Sequence, residues 1–135
     1  MLPTRNRIAL YYGLIQSLLD YCCIVLGNTT ANNIDKVYTL QKRALRVLFD
    51  LPFDFPSADL FSRFDVMSIR QRIFYFLAVT MYKCVTNNAP DYLCNVFVPQ
   101  SHVNTYQTRS ALNQNFYEPR CFLNVGTGSF QYRAI

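Results

Sequence analysis

The apolar positions of this chain recur at helical spacing up to about residue 98 and lose that spacing afterwards. A first apolar stretch, Ile8 to Leu26, is interrupted by Gly13, Gln16, Ser17 and Asp20, and the last three form a polar stripe expected to face solvent. Gly27 and Asn28 supply a stop, and Thr29 to Asn33 is a short connection. The segment Asn33 to Phe49 follows as a well-punctuated helix. On a wheel of about 100° per residue, Val37, Leu40, Ala44, Val47 and Leu48 gather on one side, and Lys36, Lys42, Arg43 and Arg46 on the other. Asn32 or Asn33 is the expected cap, Asp35 a favourable charge in the positive first turn, and Pro52 the closing breaker. Two helices joined so briefly are expected to pack antiparallel.

Pro52 and Pro56 then break the pattern twice, because each ring disfavours helix in the residue before it. Ser57 opens a short amphipathic helix to about Phe64, carrying Leu60, Phe61 and Phe64. Ser68, with Gln71 three residues on, is a capping box for the longest helix, Ile69 to about Val85. From Ile73 to Tyr82 that helix is apolar almost all round and is expected to be the buried centre of a bundle. Asn87 to Pro90 ends it, and Asp91 to Phe97 reads as one or two further turns. Past Pro99 the sequence alternates in short pieces such as Val103 to Tyr106 and Ser129 to Tyr132, with turn signals at Gly126 and Gly128 and a hairpin expected over Cys121 to Tyr132. The expected fold class is mainly α, a bundle of about four helices over residues 1–98 with an extended, partly β tail over 99–135.

Composition changes this picture in three ways. Of 135 residues 51% are hydrophobic and 16% aromatic, which argues against disorder and for a buried core. The formal net charge is +5, and most of the cations are arginines, whose planar fork suits phosphate. The five cysteines, Cys22, Cys23, Cys84, Cys94 and Cys121, are odd in number without a CxxC pair and read as reduced, mostly buried thiols. With no basic-then-apolar leader at Met1 to Thr4, the expected compartment is cytosol or nucleus. Asp20 lies well inside the only apolar stretch near bilayer length, so no membrane span is expected.

Catalytic chemistry finds no foothold in the pattern. The single histidine, His102, lies in a polar linker without an acid partner nearby in sequence, and reads as a surface group. No His, Cys, Asp or Glu spacing suits a metal, Gly126-Thr127-Gly128 lacks the lysine and helix of a phosphate loop, and no cofactor is expected. The remaining candidates are basic: Lys36, Lys42, Arg43 and Arg46 on the helix, with Arg109, Arg120 and Arg133 in the tail beside Tyr106, Tyr117 and Tyr132. Guanidinium groups interleaved with rings can grip a backbone and stack bases.

The order of short motifs is recognisable. Leu10-Tyr11-Tyr12-Gly13-Leu14-Ile15 is followed by Asp20-Tyr21-Cys22, then Leu40-Gln41-Lys42-Arg43-Ala44-Leu45-Arg46, then Met81-Tyr82-Lys83-Cys84 with Pro90-Asp91-Tyr92-Leu93. The run closes on Tyr106-Gln107-Thr108-Arg109-Ser110, Pro119-Arg120-Cys121 and Gly128-Ser129-Phe130-Gln131-Tyr132-Arg133. From Arg5 to Ile135 the chain resembles the segment downstream of the catalytic palm in the reverse transcriptase of jockey-like non-LTR (LINE-type) retrotransposons. It departs in having Leu26 where the family commonly has Trp, and in stopping before the Leu-Trp-Asn block expected after Arg133, which suggests truncation. The resemblance implies a parent RNA-directed DNA polymerase whose metal-binding aspartates and endonuclease lie upstream of this chain.

The expected function is therefore that of a non-catalytic thumb-and-connector-like fragment. Its expected partners are the missing palm domain and template RNA or RNA–DNA duplex, met through Lys36, Lys42, Arg43 and Arg46. Because Arg43 and Arg46 both lie off the apolar face, reversing their charge is expected to spare the fold. The alternative expectation is a protein–protein interaction module or inert remnant, self-associating through apolar surface left where the palm once packed.

Overall fold

A computed structural model describes residues 2–103, 106, 108–113, 115–122 and 133–134, Ala111 by its backbone only. The protein is mainly helical, in accord with the bundle expected from sequence. It divides into two compact units, Met1–Phe76 and Leu77–Ile135, with the division falling inside one long helix.

The first unit opens with α1, Thr4–Leu10, which continues without interruption into a π-helical turn, Tyr11–Gln16, and then α2, Ser17–Asp20. A π turn holds one residue more than an α turn and so rotates the next side chains about the axis. Ser17 Oγ donates to Gly13 O at 2.6 Å across the widened turn. The rotation brings Gln16 beneath Tyr11, and both are buried. The polar stripe expected at the surface is thus corrected: Gln16 and Asp20 turn inward, while Leu10, Leu14 and Leu18 stand in solvent, Leu18 at 74% exposure. The helix breaks at Tyr21, which is extended, and at Cys22, which is left-handed at φ 55°. Then α3, Cys23–Gly27, leads to the connection.

The basic helix, α4, spans Ala31–Leu48. Its start lies earlier than the sequence suggests. Thr30 is the cap, through its backbone carbonyl, which accepts from Asn33 N at 3.0 Å and Ile34 N at 3.3 Å. Neither Asn32 nor Asn33 caps, and Asp35 falls past the first turn, where it pairs with Arg70. Antiparallel packing on α1 follows from two contacts in opposite order: Arg7 Nη1 donates to Leu48 O at 3.1 Å, and Gln41 Nε2 donates to Tyr11 Oη at 2.7 Å.

Tyr11, Leu45, Leu60 and Val66 form the core of this unit, with Ile15, Leu48, Phe49, Phe55, Phe61 and Phe64 packed around them. Leu60 comes from α5, Ser57–Arg63. Phe49 stacks on Phe64 with ring centroids 3.6 Å apart, and Tyr38 on Phe61 at 5.5 Å. Both loop-side ends close as Schellman turns built on aspartate. Asp50, at φ 52°, lets Leu51 N donate to Arg46 O at 2.9 Å, and Asp65, at φ 51°, lets Val66 N donate to Phe61 O at 3.1 Å.

The long helix α6, Ile69–Val85, begins at the expected capping box, where Ser68 N donates to Gln71 Oε1 at 2.9 Å. It is not buried all round: Ile69, Ile73, Leu77 and Cys84 make one buried stripe, while Phe74, Tyr75 and Tyr82 are exposed. A helix in contact on one side cannot bury every apolar residue it carries. A third Schellman turn ends it at Asn87, φ 54°, with Asn88 N donating to Lys83 O at 2.8 Å.

The second unit continues with α7, Asp91–Cys94, α8, Gln100–Val103, and α9, Arg109–Leu112. The first of these falls where one or two further turns were expected, whereas α8 and α9 are helical turns where the sequence suggested extended chain. An isolated antiparallel bridge joins Pro99 to Phe116, closed by Tyr117 N donating to Val98 O at 2.8 Å and Gln100 N donating to Asn115 O at 2.9 Å. The hairpin expected over Cys121 to Tyr132, with its turns at Gly126 and Gly128, lies almost wholly outside the described residues. Among the described residues no helix is long and apolar enough to cross a membrane.

Candidate nucleic-acid interface

Which side of α4 faces solvent is decided by a buried glutamine. Gln41 is 1% exposed and satisfies every polar atom of its amide. Its Nε2 donates to Tyr11 Oη at 2.7 Å and to Met67 O at 3.0 Å, and its Oε1 accepts from Ile69 N at 2.9 Å. From Tyr11 the chain of bonds runs on: Tyr11 Oη donates to Gln16 Oε1 at 2.9 Å, and Gln16 Nε2 to Asp20 Oδ1 at 2.7 Å. Asp20 ends it against Arg72, whose Nε donates to Asp20 Oδ1 at 3.0 Å and whose Nη2 pairs with Oδ2. Burial pushes the Tyr11 hydroxyl above its ordinary range and raises the Cys23 thiol in the same way, whereas the bond to Asp20 raises Arg72.

Because Gln41 and Leu45 point inward, the helix is turned relative to the wheel drawn from apolar residues alone. Leu40 and Val47, expected in the core, are exposed, Val47 at 78%. They alternate with the cations Lys36 and Arg43 along one outward stripe. Lys36, Leu40 and Arg43 line a shallow cavity of about 440 Å³ with Asn32, Asp35 and Thr39. The carboxylate in that group, Asp35, is held by Arg70, whose guanidinium also lies 5.7 Å from the Tyr38 ring centroid.

The four helix cations do not stand alike. Lys36 and Arg43 are exposed. Lys42 is half-buried, its Nζ 4.6 Å over the Tyr38 ring. Arg46 is a structural group: its Nη2 donates to Phe55 O at 2.8 Å and reaches Ser57 Oγ at 3.4 Å, and its Nε is buried without a hydrogen bond. The expectation that Arg46 can be reversed without harm to the fold is corrected by that bond, which ties α4 to the start of α5. Sequence could not show it, because the acceptor is a backbone carbonyl nine residues away.

The tail arginines belong to the second unit. Arg109 opens α9 and is exposed, Arg120 is exposed in chain without helix or strand, and Arg133 is half-buried. His102 is an exposed residue of α8. Among the described residues no three of His, Cys, Asp and Glu gather in a cluster. No family model, curated protein or solved structure matches the chain.

Proposed function

We propose that this chain is a non-catalytic helical module of a non-LTR retrotransposon reverse transcriptase, contacting template RNA or RNA–DNA duplex through the solvent side of α4. The observation that carries the reading is the placement of Lys36 and Arg43 on one exposed stripe with Lys42 beside them, while Asp35, the acid in their shared cavity, is paired with Arg70. Such a stripe binds phosphates with little sequence preference and releases counterions as it does so. With Arg46 committed to the fold, three cations meet phosphates. On single-stranded RNA, log K then falls with log salt at a slope of about −2, against about −3 if Arg46 also took part. The experiment is fluorescence anisotropy on labelled RNA across a salt series, with a Lys36→Glu, Arg43→Glu double variant alongside. A flat salt response, or unchanged binding by a folded double variant, refutes the reading.

A second reading is a protein-interaction module, favoured by the row Leu10, Leu14 and Leu18 left in solvent by the π turn. It predicts association at micromolar concentration without affinity for nucleic acid, which sedimentation velocity and the same anisotropy series tell apart.

A further inference from the structure

In the second unit, the last turn of α6 carries Cys84, only 4% exposed, and the chain then doubles back through Asn87 and Pro90 to α7, which ends on Cys94. Both cysteines line one cavity of about 530 Å³, walled in part by Val85, Phe97 and Phe116. Cys94 Sγ donates to Ala89 O at 3.3 Å, and Cys84 shares the wall of the same cavity, where burial and the neighbouring Cys94 sulfur both push its thiol up. Thiols facing one cavity are joined when side-chain rotation brings the two sulfurs to about 2 Å of each other.

We propose that Cys84 and Cys94 form a dithiol modification site, which a hydroperoxide closes into an intramolecular disulfide. Cys94 reacts first, since it is half-buried at the cavity wall whereas Cys84 is enclosed. Its thiolate attacks one peroxide oxygen, the S–O bond forms, the O–O bond breaks, and the alcohol (or water) departs with the proton. Cys84 sulfur then attacks the sulfenic sulfur, the S–S bond forms, and the hydroxide leaves as water with the Cys84 proton. Two thiols lose two electrons in all and one hydroperoxide gains them. Burial and the neighbouring sulfur push the Cys84 thiol up, so it rests protonated and resists independent oxidation. The disulfide staples the end of α6 to α7 across the Asn87 turn.

The sequence offers a clean readout, because no lysine or arginine occurs between Lys83 and Arg109, so one tryptic peptide, 84–109, holds both thiols and no other cysteine. The full chain is treated with hydrogen peroxide, alkylated, digested and weighed. The expected product is that peptide unalkylated and two hydrogens lighter, restored to two alkylations by dithiothreitol. It is expected to form faster in the folded chain than in guanidinium, and equally in a Cys22→Ser variant. In Cys84→Ser, the sulfenic acid on Cys94 is expected to persist and be trapped by dimedone. Full alkylation of the peptide while exposed Cys22 is oxidised overturns the proposal. So does equal closure in denaturant, or dimedone labelling of Cys94 no greater in Cys84→Ser than in the parent chain.

Discussion

Replacing Gln41 with leucine keeps the side chain's bulk and removes its amide, so the cost measures the polar hub rather than the packing. The Ile69 N–H, which begins α6, loses its acceptor inside a residue that is fully buried. An orphaned buried donor costs about 1–3 kcal/mol. The Met67 carbonyl loses a donor but belongs to a partly exposed residue and recovers some of this from water, leaving about 0.5–1 kcal/mol. Tyr11 keeps its own donation to Gln16, so its hydroxyl suffers least. The sum is about 1.5–4 kcal/mol, a large share of the 5–15 kcal/mol that holds a typical domain. In urea, at a slope of about 2 kcal/mol per molar, the midpoint falls by about 1–2 M. Far-UV circular dichroism reads the midpoint, and amide hydrogen exchange at Ile69 reads the first unit alone. In a Tyr11→Phe background the cost is expected to change by less than about 0.5 kcal/mol, since Ile69 and Met67 carry most of it. A Gln41→Leu loss under about 1 kcal/mol, with Ile69 exchange unchanged, refutes the hub as a source of stability.

Arg46→Ala is expected to lower stability by about 1–2 kcal/mol through the lost bond to Phe55 O, while Lys36→Ala and Arg43→Ala stay within about 0.5 kcal/mol; thermal melts of the three variants check the contrast. Thermal stability should hold from neutral pH to about 9 and fall above it. Cys23 and Tyr11 are buried as neutral groups with folded values raised above the ordinary 9.0 and 10.0, so their contribution is complete below those values and lost as pH rises through the folded ones. Melting temperature against pH reads this, and Cys23→Ala should remove the earlier part of the decline. Asp65→Gly should stabilise by about 0.5–1 kcal/mol, because glycine takes the left-handed angle of that Schellman turn without a Cβ penalty; a urea midpoint at or below that of the parent chain refutes it.

Much of the helical order was legible because it rests on periodicity and on local chemistry. The capping box at Ser68 and Gln71 is a matter of residues three apart, and the structure closes it as expected. The antiparallel packing expected of the first helix on α4 is found, although a break at Tyr21 and Cys22 and the short α3 come between them as well as the brief connection. The features hidden from sequence are tertiary. Asp50 and Asp65 close helices where no glycine announces a left-handed turn, whereas the stop at Asn87 was legible. The π turn at Tyr11–Gln16 adds a residue to the helix without any signature in the pattern, so Gln16 and Asp20 are assigned to the wrong side by a regular wheel.

The register of α4 shows why the candidate site shifts while its residues remain. A wheel that scores only hydrophobicity sends Leu40 and Val47 inward and leaves Gln41 out, because the amide counts as polar. Burial instead follows satisfaction: an amide with three partners enters the core at little net cost, and an apolar side chain without a neighbouring wall stays outside. The helix therefore turns toward Gln41, carries Arg46 against Phe55, and leaves Lys36 and Arg43 alternating with Leu40 and Val47 in solvent. A face of that kind can combine counterion release with apolar contact, so salt alone should not abolish whatever binds there. If the stripe binds RNA, Leu40→Ser with Val47→Ser is expected to weaken the binding that remains at high salt while the fold persists.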